Sequence, residues 1–286
     1  MAAMFNLLTS YSDQGKFDKA LPYVDPLLRF GPQVLGHDDP RMIDIWNNVG
    51  EVLIVKRDDA RLEPVLEKLM EHGPKIRGEN SYQTIVTINE MALLRIRQGR
   101  FAEAEPLATK VLVGMERVRG ANHADTLESL HTLIHVLEKQ GKDADAEPHH
   151  RRFVEAHRAK LGADNLTVAQ AAYQYGRCLM RQKKHADADP VFRECLRVFD
   201  NRKSPGWTAG SKRLLGESLA GQKKFADAEP LLLAGYEGFK ALESTPDNRR
   251  ITLESMDVLI RFYDDWGKKD KADVWRKALT EAKAAK

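Results

Sequence analysis

Only two cysteines occur in the 286 residues, Cys178 and Cys195. A disulfide scaffold needs more pairs than that, so packing has to hold the fold, and both thiols are expected as small buried side chains. No apolar run reaches the roughly 18 residues that a membrane helix requires, and no signal-peptide pattern appears; the expected location is the cytoplasm. Neither sign of charge dominates, since 45 Lys and Arg against 42 Asp and Glu leave +3. That balance leaves no footprint for nucleic acid or for a membrane surface. Catalytic motifs are missing as well: there is no phosphate-cradling Gly-rich loop, no His-Arg-Asp or Asp-Phe-Gly triplet, no Gly-x-Ser-x-Gly elbow and no His-Glu-x-x-His helix. The chain reads as a non-enzyme, with no cofactor.

What the sequence does have is a period. The stretch Gln98-Gly99-Arg100-Phe101-Ala102-Glu103-Ala104-Glu105-Pro106 returns as Gln140 to Pro148, as Gln182 to Pro190 and as Gln222 to Pro230. Weaker copies run from Gln14 to Pro22 and from Lys56 to Pro64, and a last one from Trp266 to Asp273 lacks the proline. The prolines at 22, 64, 106, 148, 190 and 230 are 42 residues apart four times and 40 once. Gly36, Gly78, Gly120 and Gly162 keep the same step. Two independent markers at one period of this size indicate stacked structural repeats.

Each period reads as two helices. Before the motif, apolar residues such as Ile85, Ile88, Met91 and Ala92 recur at three and four. After it, Leu107, Val111 and Leu112 do the same. The Gln-Gly pair between them forms the turn, with Gly at the left-handed position that ends a helix. Proline then falls in or just past the first turn of the second helix, where a missing N–H matters least. Ala20, Ala104, Ala146, Ala188, Ala228 and Ala272 share one phase, with Leu62 the exception, and Gly50, Ala92, Gly176 and Gly216 share another on the first helix. Two rows of small residues let paired helix backbones approach closely.

These residues resemble the tetratricopeptide repeat family in its 42-residue, kinesin-light-chain-like form, over nearly the whole chain. Trp46 stands at the family's aromatic position, Tyr11 and Tyr263 at a second, and the alanine row at a third. The stretch from Ala228 to Gly238, through Trp275-Arg276-Lys277, is similar to the repeat tail of certain bacterial serine/threonine protein kinases. The resemblance implies an all-α, right-handed superhelical solenoid of about seven helix-turn-helix repeats and a protein-binding role. The alternative it implies is the regulatory arm of such a kinase or another signalling enzyme, although no catalytic residue of a kinase lies on this chain.

The expected repeats are 1–36, 39–78, 81–120, 123–162, 165–202, 205–244 and 248–284, forming one solenoid over 1–286. In the first repeat the second helix is expected to end near Phe30, before Gly31-Pro32, and in the second repeat near Gly73. The polar connection from Asn201 to Gly206 breaks the glycine rule where the period slips to 40, and the tail from Glu281 to Lys286 is expected to fray. No Ser, Asp or Asn caps the first helix, which suggests a trimmed or longer parent chain and allows self-association through the end repeats.

First helices line the concave side of such a stack. At about 100° per residue, the stripe Val86, Asn89, Leu93 and Ile96 points away from the packed stripe Ile88, Met91, Ala92 and Arg95. Its counterparts give the candidate peptide groove: Asn47 and Glu51, Asn89 and Leu93, His131 and His135, Tyr173 and Arg177, Arg213 and Glu217, with Gly210, Glu254, Asp257 and Arg261 continuing the face. Amides can hold a peptide backbone while Leu93 and Ile96 offer apolar contact. In kinesin-light-chain-like relatives, asparagines at this position clamp peptide; Asn47 and Asn89 match, whereas His131, Tyr173, Arg213 and Asp257 do not. The expected partner is a protein or peptide segment.

Four histidines, 131, 135, 149 and 150, could supply zinc ligands by number. His149 and His150, however, fall where other repeats carry Leu107 and Ala108 or Val191 and Phe192. They belong to the packed side, His131 and His135 to the groove, so no metal site is expected. Lys183-Lys184 and Lys223-Lys224 sit at turns, where they are solvated and complement the preceding helix end.

Overall fold

A computed structural model describes residues 1–242 and 246–284. Among them the secondary structure is helical, with no strand. The chain divides into two compact units, Met1–Gln140 and Gly141–Lys286.

The first unit opens with α1 (Ala2–Asp13), which has no side-chain cap. Two short helices follow, α2 (Phe17–Ala20) and α3 (Val24–Leu35), joined by a 3-10 turn that contains Pro22. Then come α4 (Pro40–Lys56), α5 (Asp59–Arg77), α6 (Tyr82–Arg97), α7 (Phe101–Arg119) and α8 (Ala124–Lys139). The second unit holds α9 (Asp143–Leu161), α10 (Leu166–Arg181), α11 (His185–Asn201), α12 (Pro205–Gly221), α13 (Phe225–Lys240), α14 (Pro246–Asp265) and α15 (Lys269–Ala284). The second helix of the first repeat, expected as one piece from Phe17, is interrupted at Leu21–Tyr23. Residues 243–245, inside the expected sixth repeat's edge, and Ala285 and Lys286 of the expected frayed tail lie outside the described residues.

Local chemistry sets where the helices begin and end. Three first helices start on side-chain oxygen caps: the Asp39 carboxylate accepts from Arg41 N, the Ser81 hydroxyl from Thr84 N and the Asn165 amide oxygen from Thr167 N. Second helices α5, α7 and α9 end on Gly78, Gly120 and Gly162, at φ 80 to 90° and ψ 143 to 158°. That region is essentially open to glycine alone, which explains the second periodic marker. The next first helix is then tied back, since Thr84 and Thr126 donate to the carbonyls of Gly78 and Gly120 at 2.9 and 2.8 Å.

Two second helices run further than expected. α3 passes through Gly31-Pro32 and α5 through Gly73-Pro74 before stopping at the next glycine. The clash that drives the residue before proline out of the helical region involves its Cβ, and in both cases that residue is glycine. The proline therefore removes one hydrogen bond without ending the helix.

The small-residue rows are where the helices meet. Ala20, Leu62, Ala104, Ala146, Ala188, Ala228 and Ala272 are all fully buried. Around them, Leu8, Trp46, Val49, Leu53 and Leu66 form the centre of the first unit's core, with Ile85, Ile88, Val111 and Met115 beyond. Phe192, Leu215, Leu232, Leu259 and Phe262 fill one core of the second unit, and Val168, Cys195, Val198 and Phe199 another. Both cysteines are buried thiols outside any disulfide, and burial pushes the Cys195 thiol up to about 12.

Candidate functional site

The candidate residues stand on successive first helices, as the 42-residue step requires. In the first unit, Asn47 and Glu51 lie on α4, Asn89 and Leu93 on α6, and His131 and His135 on α8. Asn47, Asn89, Leu93 and His135 are half-buried, while Glu51 and His131 are exposed. The Asn47 amide nitrogen is engaged, donating to the Ile43 carbonyl at 2.8 Å. That leaves Asn47 its oxygen and one amide N–H. His135 rests against the Phe101 ring, edge to face at 6.3 Å. A cavity of about 600 Å³ in this unit includes none of the six; it is lined by Ile85 and Ile88 of α6 and by Ala102, Pro106 and Val113 of α7.

In the second unit the candidates converge. Tyr173 and Arg177 of α10 and Arg213 of α12 share a cavity of about 440 Å³, together with Gly210 and Glu254 from the same predicted face. Tyr173 is held edge to face by Trp207 at 5.2 Å and by Phe192 at 5.9 Å. Its phenol packs on the α12 backbone, where a side chain at Gly210 would meet Oη at 2.8 Å. Burial raises the Tyr173 pKa, so the phenol stays a neutral donor. Glu217 sits beside the cavity, and burial raises its pKa too, with Arg213 and Arg261 pulling the other way. Arg213 Nε and Glu217 Oε1 form an ion pair at 3.7 Å, too long for a hydrogen bond, and neither atom has a hydrogen-bond partner among the described residues.

Some lining residues were missed in the sequence. Trp207, Arg250 and Ile251 lie one helical turn before Gly210 and Glu254, so extending each predicted stripe by a turn finds them. Phe239 and Leu242 come from the end of second helix α13 and its exit. A stripe drawn on first helices alone cannot reveal them.

The tetratricopeptide repeat profile matches residues 82–159 and 130–201. Residues 82 to 201 are tetratricopeptide repeats. The helical hairpins outside that span keep the same fold, as solved structures show. A kinesin light chain repeat protein from Podosopora anserina, described as putative in its own right, aligns with a TM-score of 0.59 at 16% identity, over 70% of this chain and 94% of that one. BtubC (BKLC) from P. vanneervenii aligns at 0.60 and 17%, over 80% and 89%. The apo form of RapI aligns at 0.54 and 13%, over 99% and 97%. No curated protein matches the chain. At these identities the likeness is one of fold.

Among the described residues, no helix is long and apolar enough to cross a membrane. No group of three or more His, Cys, Asp or Glu among them could hold a metal ion. His150 is buried and His149 half-buried, on the packed side as expected.

Proposed function

We propose that the chain is a non-enzymatic interaction module that takes a peptide or partner segment on the face of its first helices. One observation carries this reading: three residues chosen from the sequence by helical phase, Tyr173, Arg177 and Arg213, line one cavity floored by Trp207 and Phe239. Its lining sets aromatic rings beside charged and amide side chains, a mixed surface that suits a peptide segment. In the first unit, taken by itself, Asn47 of α4 and Asn89 of α6 offer amide groups to a peptide backbone.

The test is selection of heptapeptides from a random display library on the intact chain. Selected peptides are then synthesised and titrated against Trp207→Ala and against Asn47→Ala combined with Asn89→Ala. Weakened binding in either variant, with thermal melting unchanged, supports the groove. Binding that survives both places the site elsewhere on the molecule.

A further inference from the structure

One position on the second helices breaks its own row. Seven residues on from the prolines at 22, 64, 106, 148, 190 and 230 stand Arg29, Glu71, Val113, Glu155, Arg197 and Glu237. Only α7 has an aliphatic side chain there, and Val113 is 49% exposed. Three residues earlier, α5, α9 and α11 carry the opposite charge: Lys68 before Glu71, Arg152 before Glu155, Glu194 before Arg197. In α5 the two are joined at 3.1 Å. In α7 the cation is Lys110, and valine stands where its acid would be.

Val113 and Lys110 line the first unit's cavity of about 600 Å³, over Ile85 and Ile88 of α6. Two of its other charges are engaged: Arg117 donates to Asn80, and Glu105 accepts from Gln140. Neither Lys110 nor Glu79 forms a hydrogen bond or ion pair among the described residues. The second unit has the equivalent cavity, of about 200 Å³, where Pro190 and Glu194 stand two periods on from Pro106 and Lys110. There the helix α9 forms the facing wall with Arg151, Val154, Glu155 and Arg158. Arg158 donates to both Glu194 oxygens, at 2.9 and 2.8 Å. α5 is the counterpart of α9, yet among the described residues none from α5 lines the first unit's cavity, and Pro74 holds the place of Arg158.

We propose that this cavity docks an amphipathic helix of a partner protein, which stands to α7 as α9 stands to α11. Its apolar side chains lie on Val113, Ile85 and Ile88, and an Asp or Glu pairs with Lys110. The charges are reversed from the second unit, where the equivalent residue, Glu194, takes an arginine. Glu79, beside the Arg117–Asn80 pair, calls for a Lys or Arg about 10 Å from that acid, the two turns from Lys110 to Arg117. A helix laid into an apolar groove is anchored by residues one turn apart, which is the spacing that α9 uses on α11. The site is on second helices and goes beyond the groove reading, which concerns first helices.

A display library of helix-forming peptides, about 16 residues long to match the stretch from Ala102 to Arg117, is selected on the intact chain and counter-selected on Val113→Glu. That variant copies the charge that α9 carries at Glu155, so it suits the fold. The expected peptides place an Asp or Glu within one turn of a large apolar residue, and their binding falls at least about tenfold in Val113→Glu and in Lys110→Glu. Exchanging the peptide's acid for lysine restores binding to Lys110→Glu. This arm stands even if Val113→Glu melts early, because Lys110 is exposed. Trp207→Ala, and Asn47→Ala with Asn89→Ala, leave these peptides bound, so this site and the groove fail separately; peptides lost in those variants as well overturn the second-helix site. An empty selection, peptides without acids, peptides indifferent to Lys110→Glu, or binding that survives a proline at the peptide's centre each overturn the proposal. So does a wild-type dimer in light scattering that Val113→Glu disperses, since the occupant is then a second copy.

Discussion

Gln98 donates a hydrogen bond of 3.0 Å to Glu63, across the step from one repeat to the next. Arg95 and Arg100 converge on the same carboxylate. Glu63 is the residue before the periodic proline, and its equivalents repeat the arrangement. Glu105 accepts from Gln140 at 2.8 Å, Glu147 from Lys184, and Glu229 from the Tyr263 hydroxyl at 2.7 Å. Asp189 is the exception, pairing with Arg193 on its own helix. The motif's acid thus fastens each repeat to its successor at four of five positions, a role that its place beside proline does not disclose.

Hydrogen bonds from Gln98, then Arg95 and Arg100, hold the Glu63 carboxyl down at about 2, against 4.5 for an unperturbed glutamate. A depressed value means that the contribution is fully present above the unfolded pKa and disappears as pH falls through the folded one. Glu63 should therefore stabilise fully above about pH 4.5 and lose its effect toward pH 2. Glu63→Gln is expected to lower stability at neutral pH by about 1–3 kcal/mol, because Arg95 is left buried beside a weaker acceptor. Urea titrations at several pH values check this. The gap between wild type and variant should narrow below pH 4.5; a constant gap refutes the assignment.

The hairpins were legible because two separate physical demands recur at one period. The extended, positive-φ exits of the second helices at Gly78, Gly120 and Gly162 need glycine, and close helix pairs need alanine at positions such as Ala104 and Ala228. Less was legible where a demand is met by an unexpected residue. Proline reads as a helix stop, yet α3 and α5 run through Pro32 and Pro74 because the residue before each is glycine, which lacks the clashing Cβ. Of the groove, helical phase gave Tyr173, Arg177 and Arg213. Phe239 escaped because its position depends on how α13 packs over α12, which no single-helix pattern encodes.

Gly50 and Gly216 hold the same place in the small-residue row, yet substitution should act in opposite directions. A Cβ at Gly50 would have nothing nearer than Val65 at 3.9 Å. At Gly216 it would meet Leu232 Cγ at 2.7 Å and the Leu232 backbone N at 3.1 Å. Gly50→Ala is expected to stabilise by about 0.5–1 kcal/mol through helix propensity. Gly216→Ala should destabilise by about 1–3 kcal/mol through overpacking. Chemical denaturation of the two variants measures both, and equal effects would contradict the packing of α12 on α13.

Ala104 has no exposed surface. Ala104→Arg puts a long cation where α6 and α7 meet, adding an unpaired charge to overpacking of about 1–3 kcal/mol. Loss of cooperative melting in the first unit is the expected outcome, read by hydrogen exchange of α6 and α7. Wild-type protection of both helices would refute the close-packed hairpin.

The turn before the second helix is left-handed in every repeat, whatever residue occupies it. Gly99 and Gly141 take φ 72 and 70°, while Lys183 and Lys223 are held at 59 and 60°. An L side chain in that region is disfavoured by roughly 1–2 kcal/mol, and glycine returns part of this through the greater freedom of its unfolded chain, about 0.4–1 kcal/mol. Lys183→Gly and Lys223→Gly should each stabilise by about 0.5–1 kcal/mol on that balance. Lys183→Ala separates backbone from charge, because it removes the cation and keeps the strain. It should raise the denaturation midpoint little or not at all. If alanine stabilises as much as glycine, then repulsion with the adjacent Lys184, and not the left-handed backbone, was the source of the gain.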